Sequence, residues 1–128
     1  MRIVKFRVYN DLLKNYLPDD SVCILPNGDI VLYNLAAMIV AYKRPSDMLE
    51  GENTVEQFTG LEDKNGTKIY EGDILIDDTG EPIEYWVVKF ADGGFVGECA
   101  GVAESLFELT NLEVVGNIHE DSELVEEK

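Results

Sequence analysis

The stretch Gln57-Phe58-Thr59-Gly60-Leu61-Glu62-Asp63-Lys64-Asn65-Gly66-Thr67-Lys68-Ile69-Tyr70-Glu71-Gly72-Asp73-Ile74 decides how the rest of the chain is read. Gly60, Gly66 and Gly72 are evenly spaced within it, at points where a reversing chain needs positive φ or has no room for a Cβ. Asp63 and Asn65 form turns through side-chain hydrogen bonds to nearby backbone. Asn65-Gly66 between two apolar runs is a hairpin cue, because both residues tolerate positive φ. Phe58, Leu61, Ile69, Tyr70 and Ile74 supply core positions, and Asp73 is placed to bond backbone amides of the turn before the next strand. The stretch predicts short strands joined by tight turns.

Toward the C-terminus the text stays β. Ile74-Leu75-Ile76 is a strand, and 77–82 a polar turn. Ile83 to Phe90 is expected to be the longest strand, with Ile83, Tyr85 and Val87 on one face and Trp86, Val88 and Phe90 on the other. We read Trp86 as core in preference to an exposed anchor. Asp92-Gly93-Gly94 closes a hairpin to residues 95–99. Val102, Leu106, Phe107 and Leu109 lie near helical spacing, so a short helix or 3₁₀ turn is expected over 102–109. Leu112 to Ile118 is a last strand, followed by an acidic tail. About five short strands with one helical turn before the last suit a small SH3-like barrel over roughly 55–120, closed so that few strand edges stay open.

Toward the N-terminus, residues 3–9 alternate apolar and basic side chains, the period of a half-buried strand. Val22-Cys23-Ile24-Leu25 and Ile30-Val31-Leu32-Tyr33 flank Pro26-Asn27-Gly28-Asp29, a second hairpin signal. Residues 34–44 are ambiguous: Leu35-Ala36-Ala37-Met38 favours helix and Ile39-Val40 strand. Pro45 stops that run, and 46–54 reads as a connection. The expected organisation is an N-terminal β-rich extension (1–54) and a barrel carrying the motif with an acidic tail (55–128). The fold class is mostly β (α+β), with one or two short helices.

Charge is distributed unevenly along the 128 residues. Residues 1–44 hold six basic residues against four acidic ones, a net +2, whereas 45–128 hold four against 22, a net −18, which together give the chain's −16. Such an acidic part repels phosphate backbones and argues against direct nucleic-acid binding. It serves solubility, and it also suits a basic partner surface, including one that itself binds DNA. The longest apolar run, Leu35 to Tyr42, is far short of the roughly 20 residues that span a bilayer. Arg2, Lys5 and Arg7 occupy the place of a signal peptide's apolar region. A cytoplasmic location with no membrane contact is expected. Cys23 and Cys99 read as buried thiols before a disulfide or redox pair. With His119 as the sole histidine, a zinc site lacks its roughly four ligands.

The 57–74 stretch resembles the signature of the YopX family. Lys5-Phe6-Arg7-Val8-Tyr9 and Val114-Val115-Gly116-Asn117-Ile118-His119-Glu120 resemble that family's opening and closing strands, while 11–56 matches loosely. The resemblance implies a small phage- or prophage-encoded β-rich protein. It brings no established activity and no catalytic residues to carry over.

Read for chemistry, Asp63, Glu71 and Asp73, with Tyr70, could form a polar cluster at one barrel end holding a divalent cation through oxygen ligands. The 63/71/73 spacing fits no loop motif, and acids are plentiful, so turn formation is the preferred reading. Cys99 with His119 is the one Cys–His pair in this half and lacks a nucleophile signature. Cys99 is read as a buried strand residue and His119 as a cap of the final strand. The glycines make no phosphate loop, since no Gly-Lys-Ser/Thr follows. We therefore expect no catalytic, metal or cofactor-binding residues and no cofactor. The leading function is a non-enzymatic protein-binding or assembly module with an unidentified protein partner. The second is an acidic inhibitor of a host nucleic-acid-binding protein, and the third a small metal-dependent enzyme. Strand edges at 3–9 and 22–33 point to self-association as a homo-oligomer.

Overall fold

The computed structural model describes residues 4–18, 22–24, 26, 30–34, 39–42 and 53–125. In chain order its strands are β1 (Phe6–Asn10), β2 (Asn15–Tyr16), β3 (Val22–Ile24), β4 (Ile30–Asn34), β5 (Ile39–Tyr42), β6 (Asn53–Glu62), β7 (Lys68–Tyr70), β8 (Asp73–Asp77), β9 (Glu84–Ala91), β10 (Gly94–Cys99), β11 (Val102–Ser105) and β12 (Glu113–Asn117). Two 3₁₀ turns, Leu106–Leu109 and Ser122–Leu124, complete the described elements. The protein is mostly β. The chain divides into two units, Met1–Phe6 with Glu56–Lys128 and Arg7–Val55.

The first unit is built on an antiparallel sheet of strand order β11-β10-β9-β8-β12. Strand alternation decides what it buries. On β9, Trp86 and Val88 face inward, Tyr85 and Val87 are half-buried, and Phe90 near its end is exposed, as is Ile83 just before it. Trp86 lies opposite Leu75 of β8, and Val88 opposite Gly97 of β10. Ile69, Leu75, Trp86, Val88, Leu106, Leu109 and Leu112 form one buried cluster, with Leu61, Phe95, Cys99 and Val114 packed against it. Each such large side chain contributes about 1.5–3 kcal/mol of transfer free energy on burial. At Gly97 a Cβ would meet the end of the Leu109 side chain, so glycine there leaves room for the 3₁₀ turn to pack Leu109 on β10.

Trp86 is 7% exposed, which places it in the core, and its Nε1–H is buried without a hydrogen-bond partner. Trp86→Phe removes that orphan donor while keeping most of the ring volume. It is expected to cost under about 2 kcal/mol, against about 3–5 for Trp86→Ala. Urea unfolding of the two variants checks this.

Three expectations are corrected. Residues 102–105 are strand, not helix: Ala100 and Gly101, at φ 50° and 83°, close a two-residue turn that folds them back on β10. Only Leu106–Leu109 winds, as a single 3₁₀ turn, and no α-helix occurs among the described residues. The longest strand is β6, with ten residues against eight for β9. It pairs with β7 across a register shift between Phe58 and Glu62, where Gly60 has φ 86°. The bulge lets one strand run through a glycine that reads as a break.

In the second unit, β1 and β2 form a hairpin with Tyr9 opposite Tyr16, closed by Lys14 at φ 58°. Buried Asn10 accepts from the Leu12 and Leu13 N–H groups through Oδ1, and the Arg7 guanidinium lies 4.4 Å from the Tyr16 ring centre. Strands β3, β4 and β5 make an antiparallel sheet with Cys23 opposite Val31 and Val31 opposite Tyr42. The expected Asn27-Gly28 turn and residues 46–52 of the expected 46–54 connection lie outside the described residues, while Asn53 and Thr54 of that connection are strand, the start of β6.

Candidate functional site

The motif's polar side chains are held by backbone. Asp63, 6% exposed, accepts from the Asn65 and Thr67 N–H groups through Oδ1 at 2.8 and 2.9 Å. Its Oδ2 accepts from the Val114 N–H at 2.9 Å. The Lys64 N–H donates to the Leu112 carbonyl, so the β6–β7 hairpin is clipped to the start of β12 twice. Burial pushes the Asp63 carboxyl up, but the Val114, Thr67 and Asn65 amides and the Lys64 charge together hold it below its ordinary value. The carboxylate is therefore ionised, a charged acceptor stronger than a neutral one.

Glu71 and Asp73 stand on either side of the next reversal. Glu71 Oε1 accepts from the Gln57 N–H at 2.7 Å, and Asp73 Oδ2 from the Tyr70 N–H at 2.8 Å. Between them Gly72 donates to the Val88 carbonyl and accepts from the Ile118 N–H, tying the turn to β9 and to the residue after β12. Gly60, Gly66 and Gly72 all have positive φ, as their spacing predicts. Only at Gly72 is there also no space, because a Cβ would overlap the Glu56 carboxylate.

That carboxylate belongs to a pair absent from the sequence reading. Glu56 Oε2 lies 2.9 Å from His119 Nε2, with the side chains 4% and 17% exposed. Asn117 Oδ1 accepts from the His119 and Glu120 N–H groups, turning the chain after β12 and presenting the ring. His119 is thus a partner of a buried acid. A signal for Glu56 existed: it shares strand parity with buried Phe58, a charged residue at an inward position.

Asp63, Glu71 and Asp73 are each engaged with different backbone segments. Among the described residues no group of three His, Cys, Asp or Glu side chains could hold a metal ion. Cys99 is a half-buried strand residue packed against the core.

The exposed chemistry lies at the far end of the sheet. All four residues of the terminal strand β11 are exposed. Phe107 follows at 72% exposure, and exposed Phe90 meets Phe95 edge-on at 5.2 Å between ring centres. Glu104 and Glu108 are exposed beside them. The opposite terminal strand, β12, has its Val114 N–H taken by Asp63 and its Asn117 N–H by Asp121 Oδ2.

A family model described as YopX protein matches residues 5–126. The chain belongs to the YopX family. It is similar in fold to protein EF1440 from Enterococcus faecalis, with TM-score 0.69 and 27% identity over 98% of this chain and 100% of that one. It is also similar in fold to protein yopX from Bacillus subtilis, with TM-score 0.66 and 23% identity over 98% of this chain and 100% of that one. No curated protein matches. The YopX match takes in strands of both units.

In this YopX chain the Glu56–His119 contact makes a stability prediction. His119→Ala leaves a buried carboxylate without that partner, and is expected to cost about 2 kcal/mol, read as a lower urea midpoint. An unchanged midpoint would show that the pair contributes nothing.

Proposed function

We propose that this YopX protein is a non-enzymatic protein-binding or assembly module of phage or prophage origin, acting in the bacterial cytosol. The observation that carries this reading is the terminal strand β11, exposed along its whole length beside an exposed Phe107. Large exposed apolar side chains gathered at one place are a usual mark of interaction surfaces. The motif's carboxylates, by contrast, accept from backbone N–H groups, which is fold chemistry. The order β12-β8-β9-β10-β11, with a 3₁₀ turn between β11 and β12, supports an SH3-like barrel as the frame of the module over 55–128, with 1–54 as its extension. Folds of this kind host unrelated functions, so the frame alone names none.

A second reading, an acidic inhibitor of a host nucleic-acid-binding protein, is favoured by the net −18 on residues 45–128. Affinity capture from lysogenic cells at low and high salt tests both. Wild-type protein is expected to retain one discrete partner, and Phe107→Ser, with an unchanged unfolding midpoint, to lose it. Identical recovery by the two would reject the module reading. Loss of a DNA-binding partner at high salt would favour the inhibitor. A third reading, metal-dependent catalysis through Asp63, Glu71 and Asp73, predicts a rise in melting temperature with magnesium, manganese or calcium; we expect none.

A further inference from the structure

We infer that β11 is an acceptor edge for an extended, basic segment of a partner protein, which joins the sheet as one more strand. This rests on the binding-module reading and specifies its partner.

Backbone geometry comes first. The two-residue turn at Ala100-Gly101 makes Cys99–Val102 a hydrogen-bonded pair, and Gly97–Glu104 the next one. Ala103 therefore points its N–H and C=O away from β10, where an incoming strand can bond to them. Such edges are normally blunted by internal covering. At the other end of this sheet that has happened, since Asp63 and Asp121 occupy N–H groups of β12. β11 has no comparable side-chain cap among the described residues.

Side chains then narrow the occupant. Val102 on the edge strand (54% exposed) and Phe107 just after it offer apolar contacts to alternate side chains of an added strand. Glu104 and Glu108 lie on the same short run, and the nearest strand cation in sequence, Lys89, already contacts Glu98 Oε1 at 2.8 Å. An arginine- or lysine-bearing segment complements this edge. A second copy of this chain suits it less: a two-fold antiparallel pairing of β11 with β11 centred on Glu104 sets the two Glu104 side chains against each other, and like charges across a sheet edge are unfavourable. A four-residue edge also limits the added ladder, so binding is expected to be weak and salt-sensitive.

The test titrates synthetic peptides alternating valine with arginine, and the same peptides with glutamate for arginine, into wild type, Ala103→Pro and Glu104→Lys/Glu108→Lys. Proline at 103 removes an outward N–H and no ladder bond, so its unfolding midpoint should hold; the charge-reversal variant gives an independent arm. The basic peptide is expected to bind wild type, about tenfold more weakly to each variant, and more weakly at raised salt, while the acidic peptide does not bind. Equal binding of the basic peptide to Ala103→Pro overturns the strand-addition mode. Equal binding of the acidic peptide overturns the charge assignment. A wild-type dimer in light scattering, abolished by Ala103→Pro, would assign the edge to self-association instead. If both peptides fail to bind, while capture from lysogenic cells still depends on Phe107, the inference falls and the module reading stands. If that capture fails too, both fall.

Discussion

Gly72→Ala is expected to lower the unfolding free energy by about 3–5 kcal/mol, more than alanine at either of the other two motif glycines. Two costs combine there. An alanine at φ 85° carries about 1–2 kcal/mol of left-handed strain. Its Cβ would also occupy the place of the Glu56 carboxylate, which is buried against His119 and cannot swing away without losing that contact. Gly66→Ala has the same φ problem, at 82°, and open space around it. It should cost only about 1–2 kcal/mol. Urea unfolding of both variants separates the two contributions. A double-mutant cycle sharpens the point: in a Glu56→Ala background, Gly72→Ala should cost about as little as Gly66→Ala. Equal losses at 72 and 66 in the parent chain would show that Glu56 does not fill that space.

Asp63→Ala is the second large loss, at about 3–5 kcal/mol. It removes one charged acceptor and strands three backbone donors, on Asn65, Thr67 and Val114. Asp63→Asn keeps the shape and one good acceptor oxygen, and should fall between. The pH dependence has a definite sign. Because the folded-state pKa lies below the ordinary value of 3.8, ionised Asp63 stabilises the fold fully above that value. The contribution disappears as pH falls through the folded pKa. Chemical unfolding measured from neutral pH downward should therefore show wild type and Asp63→Asn converging below about pH 4. A gap that stays constant through that window would mean the carboxylate's charge is irrelevant to its role.

What could be read from sequence was local. Asn65-Gly66, the glycines at 60, 66 and 72, and the alternation of Trp86 and Val88 each depend on backbone conformation within a few residues. What escaped was either non-local or chemically disguised. Glu56 and His119 are 63 positions apart, and Asp63 and Val114 are 51 apart. Asp63 could therefore be recognised as a turn former but not as a clamp on β12. β11 was disguised, because its hairpin turns through Ala100 at φ 50°, a residue type with no turn signature. With that turn invisible, Val102, Leu106 and Leu109 mimicked one helical face. The missed strand is the one whose exposure now supports the functional proposal. The motif that identifies the family proves to be engaged in holding the sheet.

Residue-resolved amide hydrogen exchange, on the free protein and with the basic peptide bound, tests that division of labour most directly. The Asn65, Thr67 and Val114 amides are expected to exchange slowly in the free protein and not to change on binding. Ala103 should exchange fast when free and become protected in the complex. Protection appearing at Asn65, Thr67 or Val114 only on binding, with Ala103 unaffected, would contradict it.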